Sequence, residues 1–143
     1  MIRVVLDANI FVSAVLKASG NPARIIELVK EGKIKLLVSP DILAEVRATL
    51  LYPKLKKLHG CSVRWVKGFL QELSAKAEIT PGELAVDAVK DDPSDNIYLA
   101  CAVEGSADFV VSGDAHLKNL RSFQNIPIVD PGTFLQSMKG EEQ

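Results

Sequence analysis

The sequence predicts an α/β protein: a three-layer α/β/α sandwich around a central, mostly parallel sheet. Short runs of β-branched and aliphatic residues alternate along the chain with longer segments whose apolar residues recur at helical spacing. The short runs are almost continuously apolar, as in strands that a parallel sheet buries on both faces. We expect the 143 residues to form one domain, 1–143, with a frayed acidic tail over about 139–143.

The composition is that of a globular protein in water. Hydrophobic residues make up 48% of the chain and charged residues 24%. The chain has no apolar run of about 18 residues, so we expect no membrane span. Its two cysteines, Cys61 and Cys101, have no metal-binding spacing, and we expect both to be reduced in a cytoplasmic protein.

The first strand ends on an acidic residue. Residues 2–6 read as a buried strand, Asp7 follows directly, and a helix should run from Asn9 to Lys17. Four further strands are expected at 34–38, 78–79, 108–111 and 126–129, which gives five strands in all. The expected helices lie at 22–31, from 40 to the Tyr52-Pro53 break, after a Ser62 cap, from 97 onwards and at 131–138.

Four acidic residues fall at one predicted edge of this sheet: Asp7, Glu45, Asp95 and Asp114. Right-handed crossovers bring them to the carboxyl edge, where open α/β folds bind ligands. Carboxylates that share a crevice raise each other's pKa unless a cation compensates their charge. Ligands that are all oxygen favour Mg²⁺ or Mn²⁺ over zinc, so we expect one of these two cations.

Each acid taken alone has a simpler structural explanation. Asp7 fits a helix cap, Glu45 a solvated helix face, and Asp95 a favourable charge at a helix N-terminus. Their shared location favours a functional cluster, because clustered carboxylates are costly to a fold unless they are used.

The motifs that carry these acids resemble those of the PIN-domain family, metal-dependent ribonucleases that include toxin components of toxin–antitoxin systems. The matching segments are Leu6-Asp7-Ala8-Asn9-Ile10-Phe11, Ser39-Pro40 leading to Glu45, Asp92-Pro93-Ser94-Asp95-Asn96, and Val111-Ser112-Gly113-Asp114. The resemblance covers essentially the whole chain. It implies a PIN-like, Rossmann-like sheet of five parallel strands and a catalytic quartet that binds Mg²⁺ or Mn²⁺.

Within that quartet the resemblance makes Asp7 and Asp95 the principal metal ligands, which Glu45 and Asp114 complete directly or through water. The positions of Asn9 and Ser112 imply side chains that steady the acids or the scissile phosphate. The implied reaction is hydrolysis of RNA phosphodiester bonds to products with 5′-phosphate and 3′-hydroxyl ends. The resemblance further implies a homodimer and a cognate antitoxin protein. The number of cations and the RNA target stay open.

Basic residues concentrate in one stretch of the chain. No acid occurs between Ala48 and Gln71, and the charge is therefore strongly polarised. We expect Arg47, Lys54 and Lys57 to bind phosphates that flank the cleaved bond, although a solvated helical face explains the same pattern.

Two alternatives remain at the level of sequence. His116, two residues after Asp114, either contacts substrate or is a surface histidine without a role, and the second reading is the simpler one. The alternative function for the whole chain is a catalytically silent PIN-like module that binds RNA or protein.

Overall fold

The computed structural model describes residues 1–90 and 93–141, and Asp91 and Asp92 of the predicted turn lie outside the described residues. The described residues form six strands: β1 (Arg3–Leu6), β2 (Lys35–Val38), β3 (Glu78–Ile79), β4 (Phe109–Val111), β5 (Ser122–Phe123) and β6 (Ile126–Val129). They lie in the order β3-β2-β1-β4-β6-β5. The five predicted strands are parallel to one another, and β5 is an additional short antiparallel strand at the edge.

Eight helices surround this sheet in the described part of the chain. They are α1 (Ala8–Leu16), α2 (Asn21–Lys30), α3 (Pro40–Leu51), α4 (Pro53–His59), α5 (Val63–Lys76), α6 (Asn96–Glu104), α7 (Ala115–Lys118) and α8 (Pro131–Glu141). The predicted caps are present, since the Ser39 hydroxyl accepts from the Ile42 N–H and the Ser62 hydroxyl from the Trp65 N–H. The short helix α7 was not predicted. Residues 139–141, within the tail expected to fray, continue α8.

The strand order places a crevice at a defined point of the sheet. From β1 the chain moves outward through β2 to β3, and then returns through α6 to β4 on the other side of β1. Because crossovers are right-handed, this reversal puts α6 on the opposite face from α5 and gives three layers, as predicted. Ligands of open α/β sheets bind beside such a switch point, at the carboxyl ends of the strands. Here the switch point lies between β1 and β4.

The two central strands form the middle of the core. Val4, Val5 and Leu6 of β1 are fully buried, as are Val110 and Val111 of β4. Burial on both faces explains why these strands read as continuous apolar runs rather than as alternating ones. None of the helices in residues 1–90 and 93–141 is long and apolar enough to cross a membrane.

Candidate functional site

Asp7 is fixed where β1 ends and α1 begins. Its backbone N–H donates to the Val111 carbonyl at 3.1 Å, which continues the pairing of β1 with β4. Its side chain caps α1, because Oδ1 accepts from the Ile10 N–H at 3.1 Å. The residue is 3% exposed, so the carboxylate sits at a buried strand end rather than on an open surface. The capping role suggested by the sequence is therefore real, and it occupies only one of the two oxygens.

Ser112 holds the second oxygen of Asp7. Its hydroxyl donates to Asp7 Oδ2 and accepts from the Asp114 N–H at 2.9 Å. Ser112 follows β4 directly, and its backbone N–H donates to the Val129 carbonyl, which fixes its position in the sheet. The side chain is fully buried. Of the two roles expected for Ser112, steadying an acid agrees with these contacts, whereas contact with a substrate phosphate would require a side chain that solvent can reach.

Asp114 lies beside Asp7 across the switch point. Its Oδ1 caps α7 by accepting from the backbone N–H groups of His116 at 2.8 Å and Leu117 at 3.2 Å. Burial is the main cause that raises the pKa of Asp7, and the negative charge of Asp114 raises it further. Hydrogen bonds from Ser112 and Ile10 act in the opposite direction without cancelling the rise. The pair therefore carries an electrostatic cost that a bound cation would relieve.

Glu45 reaches this region through Tyr98 of α6. The buried Tyr98 hydroxyl accepts from the Ala8 N–H at 3.1 Å and donates to the Glu45 carboxylate. Burial raises the pKa of Tyr98, and the charges of Glu45 and Asp7 raise it further. Sequence reasoning missed Tyr98 as a site residue. The available signal was its spacing: it lies three residues after Asp95, which puts both residues on one side of the same helical turn.

Asp95 precedes α6 at the end of a 3-10 turn, Pro93–Asp95. It is 7% exposed, and its side chain makes no capping hydrogen bond to α6. Helix capping therefore does not explain why an acid is buried here. Its neighbour Asn96 is also buried, at 8% exposed, and bonds to the chain segment that precedes the turn.

Apart from the buried Ser112, the predicted substrate-binding residues lie on helices α1, α3 and α4 and are exposed. Asn9 is in the first turn of α1, and Arg47 follows Glu45 by two residues on α3. Lys54 and Lys57 are on α4, which packs against α1 and α3. Asn9 thus lies two residues after Asp7 on a helix that Asp7 caps, whereas the two lysines lie on a separate helix. The exposed side chain of His116 stands next to the cap of α7, and its role stays a prediction.

Asp7 and Asp114 lie close together and Tyr98 connects Glu45 to the same region, but these acids do not gather at one point. In residues 1–90 and 93–141, no three acidic, histidine or cysteine side chains are arranged so that they could hold a metal ion. The acids of this region, Asp7, Asp114 and Glu45, all offer carboxylate oxygens, which suit a hard cation such as Mg²⁺ or Mn²⁺. The donor chemistry therefore fits such a cation.

Comparison with known proteins agrees with this architecture. The PIN domain matches residues 3–116. An uncharacterized protein of Methanocaldococcus jannaschii is 35% identical over 120 residues, which cover 84% of this chain and 76% of that protein. The crystal structure of VapBC2 from Rickettsia felis, bound to a DNA fragment from its promoter, has a similar fold with a TM-score of 0.58 and 16% identity. The superposition covers 89% of this chain and 97% of that one. By the extent of the domain match, this chain belongs to the PIN-domain family.

Proposed function

We propose that this protein is a Mg²⁺- or Mn²⁺-dependent endoribonuclease. One observation carries the proposal: a buried carboxylate, Asp7, is held by Ser112 at the topological switch point and faces a second acid, Asp114. A fold does not by itself determine an activity, so the argument rests on this site. Membership of the PIN-domain family supports a nuclease, and the burial of like charges supports a cation as their partner.

In this proposal the catalytic and metal-binding residues are the predicted quartet, Asp7, Glu45, Asp95 and Asp114. Asp7 and Asp95 would be the principal ligands, since both are buried acids at the carboxyl edge of the sheet. A bound cation would lower the pKa of the attacking water and neutralise charge that develops on the phosphate. Glu45 or Asp114 would accept the proton from that water. Ser112 and Tyr98 would orient the carboxylates to which they bond.

The RNA would be bound mainly through its phosphates. Arg47, Lys54 and Lys57 are exposed cations on α3 and α4, and Asn9 offers an amide at the start of α1. Contacts to phosphate fix the position of a strand without reading its sequence. Single-stranded RNA or a loop suits such a crevice, because its backbone is free to bend towards the acids.

We further propose that the protein is the toxin of a toxin–antitoxin pair and acts in the cytoplasm as a homodimer. The similar fold of VapBC2 supports a PIN-domain protein of this kind. The apolar faces of the middle helices are the candidate surface for the homodimer.

One observation favours the alternative, a catalytically silent module that binds RNA or protein. In residues 1–90 and 93–141, no three acids are arranged as a ready metal site. Calorimetric titration of Mn²⁺ into metal-free protein separates the two functions. Saturable heat supports the nuclease, whereas RNA binding without any metal binding supports the silent module.

The direct test is cleavage of single-stranded and hairpin RNAs by protein freed of copurified inhibitor. We expect cleavage with Mn²⁺ or Mg²⁺, loss of cleavage in EDTA, and recovery when the cation is restored. The products should accept a ligated label at their 3′ ends, because ligation requires the 3′-hydroxyl group that the proposed hydrolysis leaves. Cleavage that persists in EDTA would contradict the proposed mechanism.

A further inference from the structure

A segment without helix or strand lies along α6 and is fastened to it at two places. This strap, residues 81–89, connects β3 to the turn that precedes α6. At the far end of α6, the Glu104 carboxylate accepts hydrogen bonds from the backbone N–H groups of Gly82, Glu83 and Leu84 at 3.0, 3.1 and 3.3 Å. At the near end, the strap is fastened by Asn96, the first residue of α6.

The side-chain amide of Asn96 both accepts and donates hydrogen bonds. Its oxygen accepts from the backbone N–H groups of Ala88 and Val89 at 3.0 and 2.8 Å, and its nitrogen donates to the Val89 carbonyl at 3.3 Å. A side-chain amide offers an acceptor and a donor side by side without carrying a charge, as this arrangement requires. The residue is buried, so these bonds face little competition from water.

The end of the strap to which Asn96 bonds is held in place by burial in the core. Val89 is 4% exposed and belongs to the main hydrophobic core. Val89 and Asn96 are seven positions apart in sequence, and the hydrogen bonds between them close a loop that contains the 3-10 turn Pro93–Asp95. The chain on both sides of Asp95 is therefore tied to one fixed point.

This arrangement matters for Asp95 because the ends of helices fray. The first backbone N–H groups of a helix lack partners within it, and Asp95 supplies no side-chain cap to α6. We propose that Asn96 is a positioning residue, which clamps the start of α6 to the strap and thereby holds the adjacent Asp95 carboxylate where it binds the cation. The inference rests on the proposed function, since it assigns Asn96 a task only if Asp95 is a metal ligand.

The test compares Asn96→Ala with Glu104→Ala. Both variants release backbone N–H groups of the strap, but only the first releases them next to Asp95. Two measurements are needed on the full chain: hydrogen exchange of the strap, and the Mn²⁺ dissociation constant well below the melting temperature. In Asn96→Ala we expect faster exchange at residues 86–90 and a Mn²⁺ dissociation constant raised at least roughly tenfold, since a misplaced ligand weakens a metal site.

The matched variant should separate clamping from general loosening. In Glu104→Ala we expect faster exchange at residues 82–84 and a Mn²⁺ dissociation constant within about twofold of wild type. A third variant, Asn96→Asp, keeps an acceptor for both N–H groups and should restore most of the protection at 88–89. Because its added charge would itself attract a cation, Asn96→Asp is compared by exchange only. If Asn96→Ala does not fold, the neutral Asn96→Ser, which also loses the amide, takes its place with the same two expectations.

The outcomes are distinguishable. A folded Asn96→Ala protein that binds Mn²⁺ as tightly as wild type would overturn the inference and leave the proposed function standing. Equal weakening in Glu104→Ala would also overturn it, because the effect would then belong to the strap as a whole. If wild type itself binds no Mn²⁺, the metal-dependent function fails, and the positioning role fails with it.

Discussion

The hydroxyl of Ser112 donates a hydrogen bond to the carboxylate of Asp7 and so joins the ends of the two central strands, β4 and β1. The same hydroxyl accepts from the Asp114 N–H. One buried side chain thereby sets the relative position of two acids that lie more than a hundred residues apart in sequence. It also acts on charge, because its bond favours the ionised form of Asp7 and lowers a pKa that burial raises.

This bond predicts the effect of Ser112→Ala on metal binding. Loss of the hydroxyl should raise the pKa of Asp7 further above its ordinary value, and a cation binds only the ionised carboxylate. The pH at which half of the protein binds Mn²⁺ should therefore move upward, while binding at high pH recovers in part. Calorimetric titrations across a pH series measure this midpoint. Ser137→Ala, which removes an exposed hydroxyl on α8, should leave it unchanged.

A second prediction concerns stability without metal. The pKa of Asp7 is raised from its ordinary value of 3.8, so the folded state holds this proton more tightly than the unfolded state. As pH rises from about 4 through the raised pKa, the free energy of unfolding should fall in wild type relative to Asp7→Asn, and the difference should then stay constant. Urea unfolding of metal-free protein at several pH values tests this slope.

Asp130 provides the control with the opposite sign. The Thr133 N–H holds the pKa of Asp130 below its ordinary value, so its stabilising effect is present above that value and is lost as pH falls. Asp130 makes the free energy of unfolding rise with pH, whereas Asp7 makes it fall. Asp130→Asn should therefore remove a rise, and Asp7→Asn should remove a fall. If both substitutions change the pH dependence in the same direction, burial of Asp7 does not raise its pKa.

The parts of the structure that the sequence predicted are those governed by local rules. The central strands were readable because Val4 and Val110 belong to runs buried on both faces, and the caps at Ser39 and Ser62 follow from helix-start chemistry. The edge strand β5 was not predicted. It is two residues long and exists through pairing with β6, which no local propensity encodes.

The candidate site also contains parts that the sequence predicted and parts that it did not. Topology brought Asp7 and Asp114 to one edge, and the structure places them close enough to interact. The link from Glu45 through Tyr98 was not readable, because a tyrosine in an apolar helical pattern predicts core packing and not the direction of its hydroxyl. The Asn96 contacts were hidden for a similar reason, since they join a helix to a segment without periodicity.

A third prediction concerns Asp95 as a ligand. Mg²⁺ or Mn²⁺ should raise the melting temperature of wild type, because the cation binds the folded state only. In Asp95→Asn this rise should shrink, while the metal-free variant should be no less stable than wild type, since a buried charge has been removed. Asp41→Asn, at an exposed acid in the first turn of α3, should keep the full rise. An unchanged rise in Asp95→Asn would remove Asp95 from the ligand set.

A fourth prediction concerns the basic helix α4. Replacing Lys54, Lys56 and Lys57 together by Ala should weaken RNA binding and reduce its dependence on salt. Each phosphate contact releases counterions from the RNA, so fewer are released when contacts are lost. Fluorescence anisotropy over a range of salt concentrations measures both quantities. A control triple variant at Lys17, Lys33 and Lys76, exposed lysines elsewhere on the chain, should change the salt slope less. Equal effects of the two variants would mean that α4 is only a solvated face.

The fifth prediction tests catalysis at Asp7. Asp7→Asn keeps the shape of the side chain at a strand end whose backbone is fixed by the bond to Val111, so the fold should persist by circular dichroism. It removes one negative charge from a site whose affinity for a cation depends on the number of charged ligands. Occupancy by the cation should fall, and with it the stabilisation of charge on the phosphate.

We therefore expect metal-dependent RNA cleavage by Asp7→Asn to fall at least roughly a hundredfold, the scale on which enzymes lose a principal electrostatic contact. Ser112→Ala should lose less, because a neutral hydroxyl that bonds to a ligand tunes the site without supplying its charge. The assay compares single turnovers over a series of Mn²⁺ and of Mg²⁺ concentrations that extends to saturation of the wild type, with EDTA controls and two independent preparations. Since Asp7 combines burial, a raised pKa and a charged neighbour at the switch point, a folded Asp7→Asn protein that cleaves as fast as wild type would place the activity in a contaminant or at another site.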